Sequence, residues 1–193
     1  MSKVKRFEGQ IEHTEESIRS LFKTTRNIYD TRRSALRMIL GAALVTIGLV
    51  ANVSLAMQGI LIMFGSWLLV SKDFPAKVAA EEALEVRKKK KQALPKMTTT
   101  FYDSSISLSG EGKMRVKYNQ FSRLTEDNSY FYLFLAKDSA CMIDKQSLQP
   151  NTLQEFKEYL TEKTGLDWIE IKPWFHMNIF EIIKVLKGSN KSL

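Results

Sequence analysis

Histidine, cysteine and carboxylate side chains carry most metal binding, nucleophilic attack and proton transfer, and in this 193-residue chain they do not assemble into a recognisable pattern. His13 and His176 are far apart, and neither stands at a metal-ligand spacing, so both read as structural or exposed residues. Cys141, the single cysteine, falls in the run "ACMID" with no plausible base beside it and reads as a small core residue. One cysteine excludes an intramolecular disulfide framework and a Cys-rich zinc site, and fits a reducing compartment. In "TEDNSY", Glu126 and Asp127 stand beside Asn128 as ordinary turn formers, and "SGEG" reads as a hairpin turn, not a phosphate loop. There is no GxSxG. No catalytic, metal or cofactor-binding residue is assigned, no cofactor is expected, and an enzyme is the least expected class.

The elements around these residues are more informative. Between Arg37 and Lys72 no residue is charged. The net charge of +8 divides as +4 over residues 1–37, +4 over 72–97 and 0 over 98–193, so the whole excess flanks the apolar stretch. That is the pattern of a membrane segment, not of a nucleic-acid footprint. A polar N-terminus without a small-residue cleavage pattern argues against a signal peptide. One straight helix over 38–71 would run about 50 Å against a hydrocarbon core of about 30 Å. Dividing it at "ANVS" gives two lengths of roughly 20 residues, so a two-helix transmembrane hairpin over 34–73 is expected, with both termini cytoplasmic. Gly41 and Gly48 on the first helix, and Gly59 and Ser66 on the second, offer strips of small residues for close packing, unless they are ordinary lipid-facing positions. The hairpin carries no ionisable group, which argues against an active carrier.

Residues 1–33 read as a short strand with Phe7 and Ile11 buried, then an amphipathic helix starting after Thr14. Residues 74–96 are rich in helix formers and end at Pro95, a basic stalk. In it Arg87, Lys88, Lys89, Lys90 and Lys91 suit an anionic membrane surface better than a merely solvated face. From Thr98 six short β-branched and aromatic runs alternate with turn signals and form one meandering sheet. In "KMRVKY", Met114, Val116 and Tyr118 share one face, and Lys113, Arg115 and Lys117 share the other, a candidate partner surface. "TLQEFKEYLTEKTG" opens with a capping box from Thr152 to Glu155, carries a core stripe of Leu153, Phe156 and Leu160, and closes at Gly165. Six strands closed by one helix outline a pleckstrin-homology-like antiparallel barrel over 97–165, making the whole chain an α+β membrane protein.

The apolar hairpin, the basic stalk, "FYDSSISLSGEGKMRVKYNQFSRLTEDNSYFYLFLAKDSACMIDKQSL" and "TLQEFKEYLTEK" together resemble the YcxB-like bacterial membrane proteins, whose C-terminal domain is pleckstrin-homology-like. The similarity covers roughly 34–164, and "YNQFSRLTEDNSYFYLFL" is its most specific part. The resemblance implies a bacterial inner-membrane protein with a cytoplasmic domain, and it implies no reaction and no site residues.

Residues 166–193 depart from that pattern. Pro173 suits a first helical turn, and the apolar helix expected over 174–187 either covers a flank of the barrel or lies on the membrane with Trp168 and Trp174 at headgroup level. The leading functional expectation is a membrane-anchored, non-catalytic regulatory or scaffolding protein whose barrel binds a protein or peptide. A hairpin-driven homo-oligomer acting as a pore or transporter accessory subunit is one alternative, and a sensor of anionic lipid headgroups is another. The expected partners are an anionic bilayer and a protein or a second copy, not nucleic acid.

Overall fold

The computed structural model describes residues 4–91, 93–110, 112–150 and 152–170. Strand β1 (Lys5–Glu12) is followed by four helices, α1 (Glu15–Tyr29), α2 (Thr31–Val50), α3 (Leu55–Val70) and α4 (Phe74–Lys89). Then come β2 (Lys96–Tyr102), β3 (Ile106–Ser109), β4 (Lys113–Val116), β5 (Arg123–Glu126), β6 (Tyr130–Ala136), β7 (Ser139–Asp144), α5 (Leu153–Thr164) and β8 (Trp168–Ile169). Two compact units result, one of residues 4–21 with 84–170 and one of residues 22–83. The helix expected over 174–187, with Trp174 and His176, lies outside the described residues.

In the first unit the six expected strand runs all form, but not as one meander closing into a barrel. They make two four-stranded sheets, ordered β1-β2-β3-β4 and β7-β6-β5-β8. The break falls after Val116, where the chain leaves β4, makes a 3₁₀ turn at Tyr118–Gln120 and starts β5 in the other sheet. At the opposite corner β1 and the chain after β7 meet through the reciprocal Glu8 and Gln149 bonds (2.8 and 2.7 Å), an isolated bridge and not a ladder. The barrel expected over 97–165 also omitted a strand from each sheet, β1 from the far N-terminus and the parallel β8 beside β5.

Alternation explains why β1 pairs as it does. Phe7, Gly9 and Ile11 are buried while Gln10 and Glu12 are exposed, and the register runs from Phe7 opposite Phe101 to Glu12 opposite Lys96. A Cβ on Gly9 would fall 2.3 Å from Ile143 Cγ2, so only glycine lets this strand approach β7 so closely. Helix α1 then starts with a reciprocal cap. The Thr14 hydroxyl accepts from the Ser17 N–H (3.1 Å), and the Ser17 hydroxyl accepts from the Thr14 N–H (2.9 Å).

Helix α5 closes the core through Phe156, which meets Phe7, Phe101 and Phe131 at ring-centroid distances of 5.3, 5.0 and 5.1 Å. Phe156 and Leu160 are buried, whereas Leu153, expected in the same stripe, is exposed. The expected capping box does not form. Thr152 makes no side-chain cap bond, and its N–H goes back to Pro150 O (2.9 Å). The helix does end at Gly165, whose φ of 68° is the left-handed conformation that glycine adopts without a steric penalty.

In the second unit α2 and α3 pack tightly together. A Cβ on Gly65 would lie 2.7 Å from Gly41 O, and one on Gly48 would lie 2.8 Å from Ile62 Cγ1. Residue 41 thus faces 65 and 48 faces 62, so the helices run antiparallel. Gly59 and Ser66 do not take part as expected: Gly59 has open space at its Cβ position, Ser66 is exposed, and Gly65 makes the close approach instead. At the tip the Gln58 amide donates to Ala51 O (3.2 Å), and the Ser54 hydroxyl caps α3 by accepting from Met57 N–H (3.4 Å).

The expectation of two transmembrane helices over 34–73 is overturned here. Among the described residues only α2, 20 residues and about 30 Å long, is by itself long and apolar enough to cross a membrane. Helix α3 has 16 residues, about 24 Å. The second span expected from the sequence includes Ser71–Asp73, which instead forms a 3₁₀ turn. Only α3 and α4 together reach spanning length, and they are bent by 53°.

Gly65→Leu should force α2 and α3 apart at a cost of about 1–3 kcal/mol, seen as a lower thermal midpoint of the full chain in detergent micelles. Gly59→Leu should leave that midpoint unchanged; equal effects of the two would contradict the packing described.

Candidate functional site

The surface residues singled out from the sequence separate into three places. The basic run ends α4 and continues past it. Lys88 pairs with Glu15 at 2.9 Å, Lys89 with Glu85 at 3.7 Å, and Arg87 is half-buried near His13. Burial, with the positive charge of Arg87, lowers the His13 pKa, so this imidazole is neutral at pH 7. Lys90 and Lys91 are exposed, and Lys91 ends the run with a φ of 52°. The run is therefore not one free cationic patch, because Glu15 and Glu85 take up part of it.

The face of Lys113, Arg115 and Lys117 lies on β4 and the extended residue after it, all three exposed. Of the apolar residues expected on the opposite face, Val116 and Tyr118 are buried and Met114 is 56% exposed. Strand β4 pairs with β3 on one side only, and among the described residues no strand pairs with its other edge. Glycines 41 and 48 belong to the helical unit.

Sequence reasoning missed a polar node at the β5–β6 turn. Asp127 Oδ1 accepts from the N–H of Ser129 (2.8 Å) and of Tyr130 (2.7 Å), while Oδ2 accepts from the hydroxyls of Ser20 (2.9 Å) and Tyr132 (2.5 Å). Burial by itself would raise the Asp127 carboxyl, but these bonds outweigh it and hold the group below the usual range. Beside it Glu126 is paired with Lys145 (2.6 Å) and with Lys157, and these two cations likewise overcome the effect of burial and lower its pKa. Lys157 lies over the Trp168 ring (5.4 Å), and the Trp168 indole N–H donates to Lys157 O (3.1 Å). Trp168 is thus held against the sheet core beside Phe131, with ring centroids 5.3 Å apart. The turn was signalled by an Asp two residues before Ser129, an Asx-turn pattern. The partners Ser20 and Tyr132 carried no local signal, because they come from a helix and a strand distant in sequence.

Both carboxylates of this node are thus engaged by internal partners. Cys141 is buried with its thiol pushed up to about 11, chiefly by burial, so it is protonated at neutral pH. Among the described residues no group of three or more His, Cys, Asp or Glu is placed to hold a metal ion.

Residues 101–160 match the model of the YcxB-like protein family, a stretch running from the end of β2 into α5. No curated protein and no solved structure matches the chain.

Asp127→Asn should cost about 1–3 kcal/mol, because the amide group that replaces Oδ2 cannot accept from the Ser20 and Tyr132 hydroxyls, read as faster amide exchange at Ser129 and Tyr130, which the same side chain holds, in the full chain. Because the folded pKa is depressed, the wild-type carboxylate contributes stability that is present above its unfolded value of 3.8 and is lost as pH falls through the folded value. Protection of these two amides should therefore drop on acidification below about pH 4 in wild type, and the drop should be absent in Asp127→Asn.

Proposed function

We propose that this protein is a membrane-anchored, non-catalytic regulatory or scaffolding protein whose two-sheet unit recognises a protein or peptide at the cytoplasmic face of a bacterial inner membrane. The observation that carries the reading is the insertion of an apolar helical segment between two paired strands of the recognition unit. Glu12 stands opposite Lys96, and Glu15 is paired with Lys88, so the inserted helices begin and end side by side. Whatever path the insertion takes in lipid, it returns to the side it left.

Support for a lipid environment comes from the surface of α2 and α3. Only 17% of the apolar window of α2 is buried, and Leu49, Val50, Leu55, Met63 and Val70 are among many large apolar side chains left exposed. A core helix of a water-soluble protein would be covered on those faces. Arg32, Arg33 and Arg37 before the uncharged stretch and Lys72 and Lys77 after it argue for the cytoplasmic side. The match to the YcxB-like family over residues 101–160 supports a domain type shared with that family and carries no ligand with it.

Cysteines placed at exposed Lys5 and Lys137 in a Cys141→Ser background should both resist an impermeant thiol reagent in intact spheroplasts and react after permeabilisation. Labelling of either in intact cells would reverse the orientation. In-cell crosslinking followed by mass spectrometry should return a specific partner with the full chain and lose it when 98–193 are removed. Self-crosslinks alone, kept by the shortened chain, would replace the recognition reading with a homo-oligomer of the helices.

A further inference from the structure

Deepening the recognition reading, on which it rests, we infer that β4 is a docking edge for an extended peptide of alternating acidic and apolar residues. The edge supplies the main-chain half of the site. In an antiparallel pair alternate residues turn their N–H and C=O groups away from the neighbour, and among the described residues no strand takes those of β4 on its free side. An incoming strand there extends the sheet beyond β1-β2-β3-β4, the general mode of strand addition.

The side chains supply the specificity. Lys113, Arg115 and Lys117 alternate along about 13 Å of extended chain and share the outer face of the sheet, where the residues opposite the first two are Ser109 and Ser107. No carboxylate among the described residues forms an ion pair with any of the three. An added strand places every second side chain on that face, so carboxylates at alternate positions meet the three cations. The intervening side chains fall on the other face beside Met114, whose 56% exposure leaves an apolar surface without a cover. Charge complementarity thus requires an acidic partner, and the open strand edge requires one with a peptide backbone, which an anionic lipid headgroup lacks.

The test uses the full chain in detergent micelles and a fluorescein-labelled peptide, Glu-Val-Glu-Val-Glu-Val-Glu, followed by anisotropy. The expected result is saturable binding of this peptide and none of the Lys-Val counterpart. N-methylation of alternate residues in one frame should weaken binding at least tenfold and in the other frame leave it intact, because only one side of the added strand pairs with β4. The exposed triple variant K113E/R115E/K117E should reverse the preference toward the Lys-Val peptide. No binding of the acidic peptide, or binding indifferent to N-methylation in both frames, overturns the proposal. So does a triple variant that loses binding to phosphatidylglycerol vesicles while its peptide preference is unchanged, which would assign the face to lipid. A crosslinked cellular partner retained by the triple variant would remove the β4 edge and leave the recognition reading standing, whereas no cellular partner at all would remove both.

Discussion

The pairing of β1 with β2 is the constraint on which the rest of this molecule depends. It joins residues from the start of the chain to residues that follow four helices, closing an insertion of about eighty residues. Loop closure grows only with the logarithm of length, so a long insertion costs little more than a short one. What makes the join specific is burial. Phe7 and Ile11 enter the core, and Gly9 admits Ile143 where any side chain would collide. Because the two ends of the insertion meet in one sheet, the helices are tied to the sheet unit at both ends and not by a single linker.

Within the sheet unit two kinds of contact share the work. Phe156 brings an aromatic ring from α5 into contact with β1, β2 and β6 at once, and such edge and tilted ring pairs add to the gain from burying apolar area. The Asp127 and Glu126 node does the corresponding polar task, tying α1, the β5–β6 turn, β6, the start of the chain after β7 and α5 through hydrogen bonds and ion pairs. Each partly buried carboxylate there has several donors, which is the condition under which burying it is tolerated. The outer edge at β4 is different in kind: among the described residues no carboxylate pairs with its cations, and β3 is the one strand it pairs with.

Close packing in the helical unit is likewise a matter of backbone approach. Gly41 and Gly65 set each other's carbonyl within reach of where a Cβ would be, while the outward faces keep large apolar side chains. Spacing in the sequence points to Gly59 and Ser66 as the small strip on α3, whereas the mutual rotation of α2 and α3 uses Gly65.

Local chemistry made much of this legible from residues alone. Phe7 and Ile11 marked β1, β-branched and aromatic runs between turn signals marked the six strands β2 to β7, Thr14 marked the start of α1, Gly165 marked the end of α5, and the uncharged stretch with basic flanks marked the apolar helices. Each of these signals depends on neighbours within a few positions. The division into two sheets, the docking of β8 beside β5, the Ser20 and Tyr132 hydroxyls on Asp127, the ion pairs that take up Lys88 and Lys89, and the length lost from α3 to a 3₁₀ turn depend on residues far apart in the chain. Alternation states which side of a strand is apolar, but not which strand lies next to it. That choice is made by whole-unit packing, where a single aromatic ring or a missing Cβ decides which surfaces can come together.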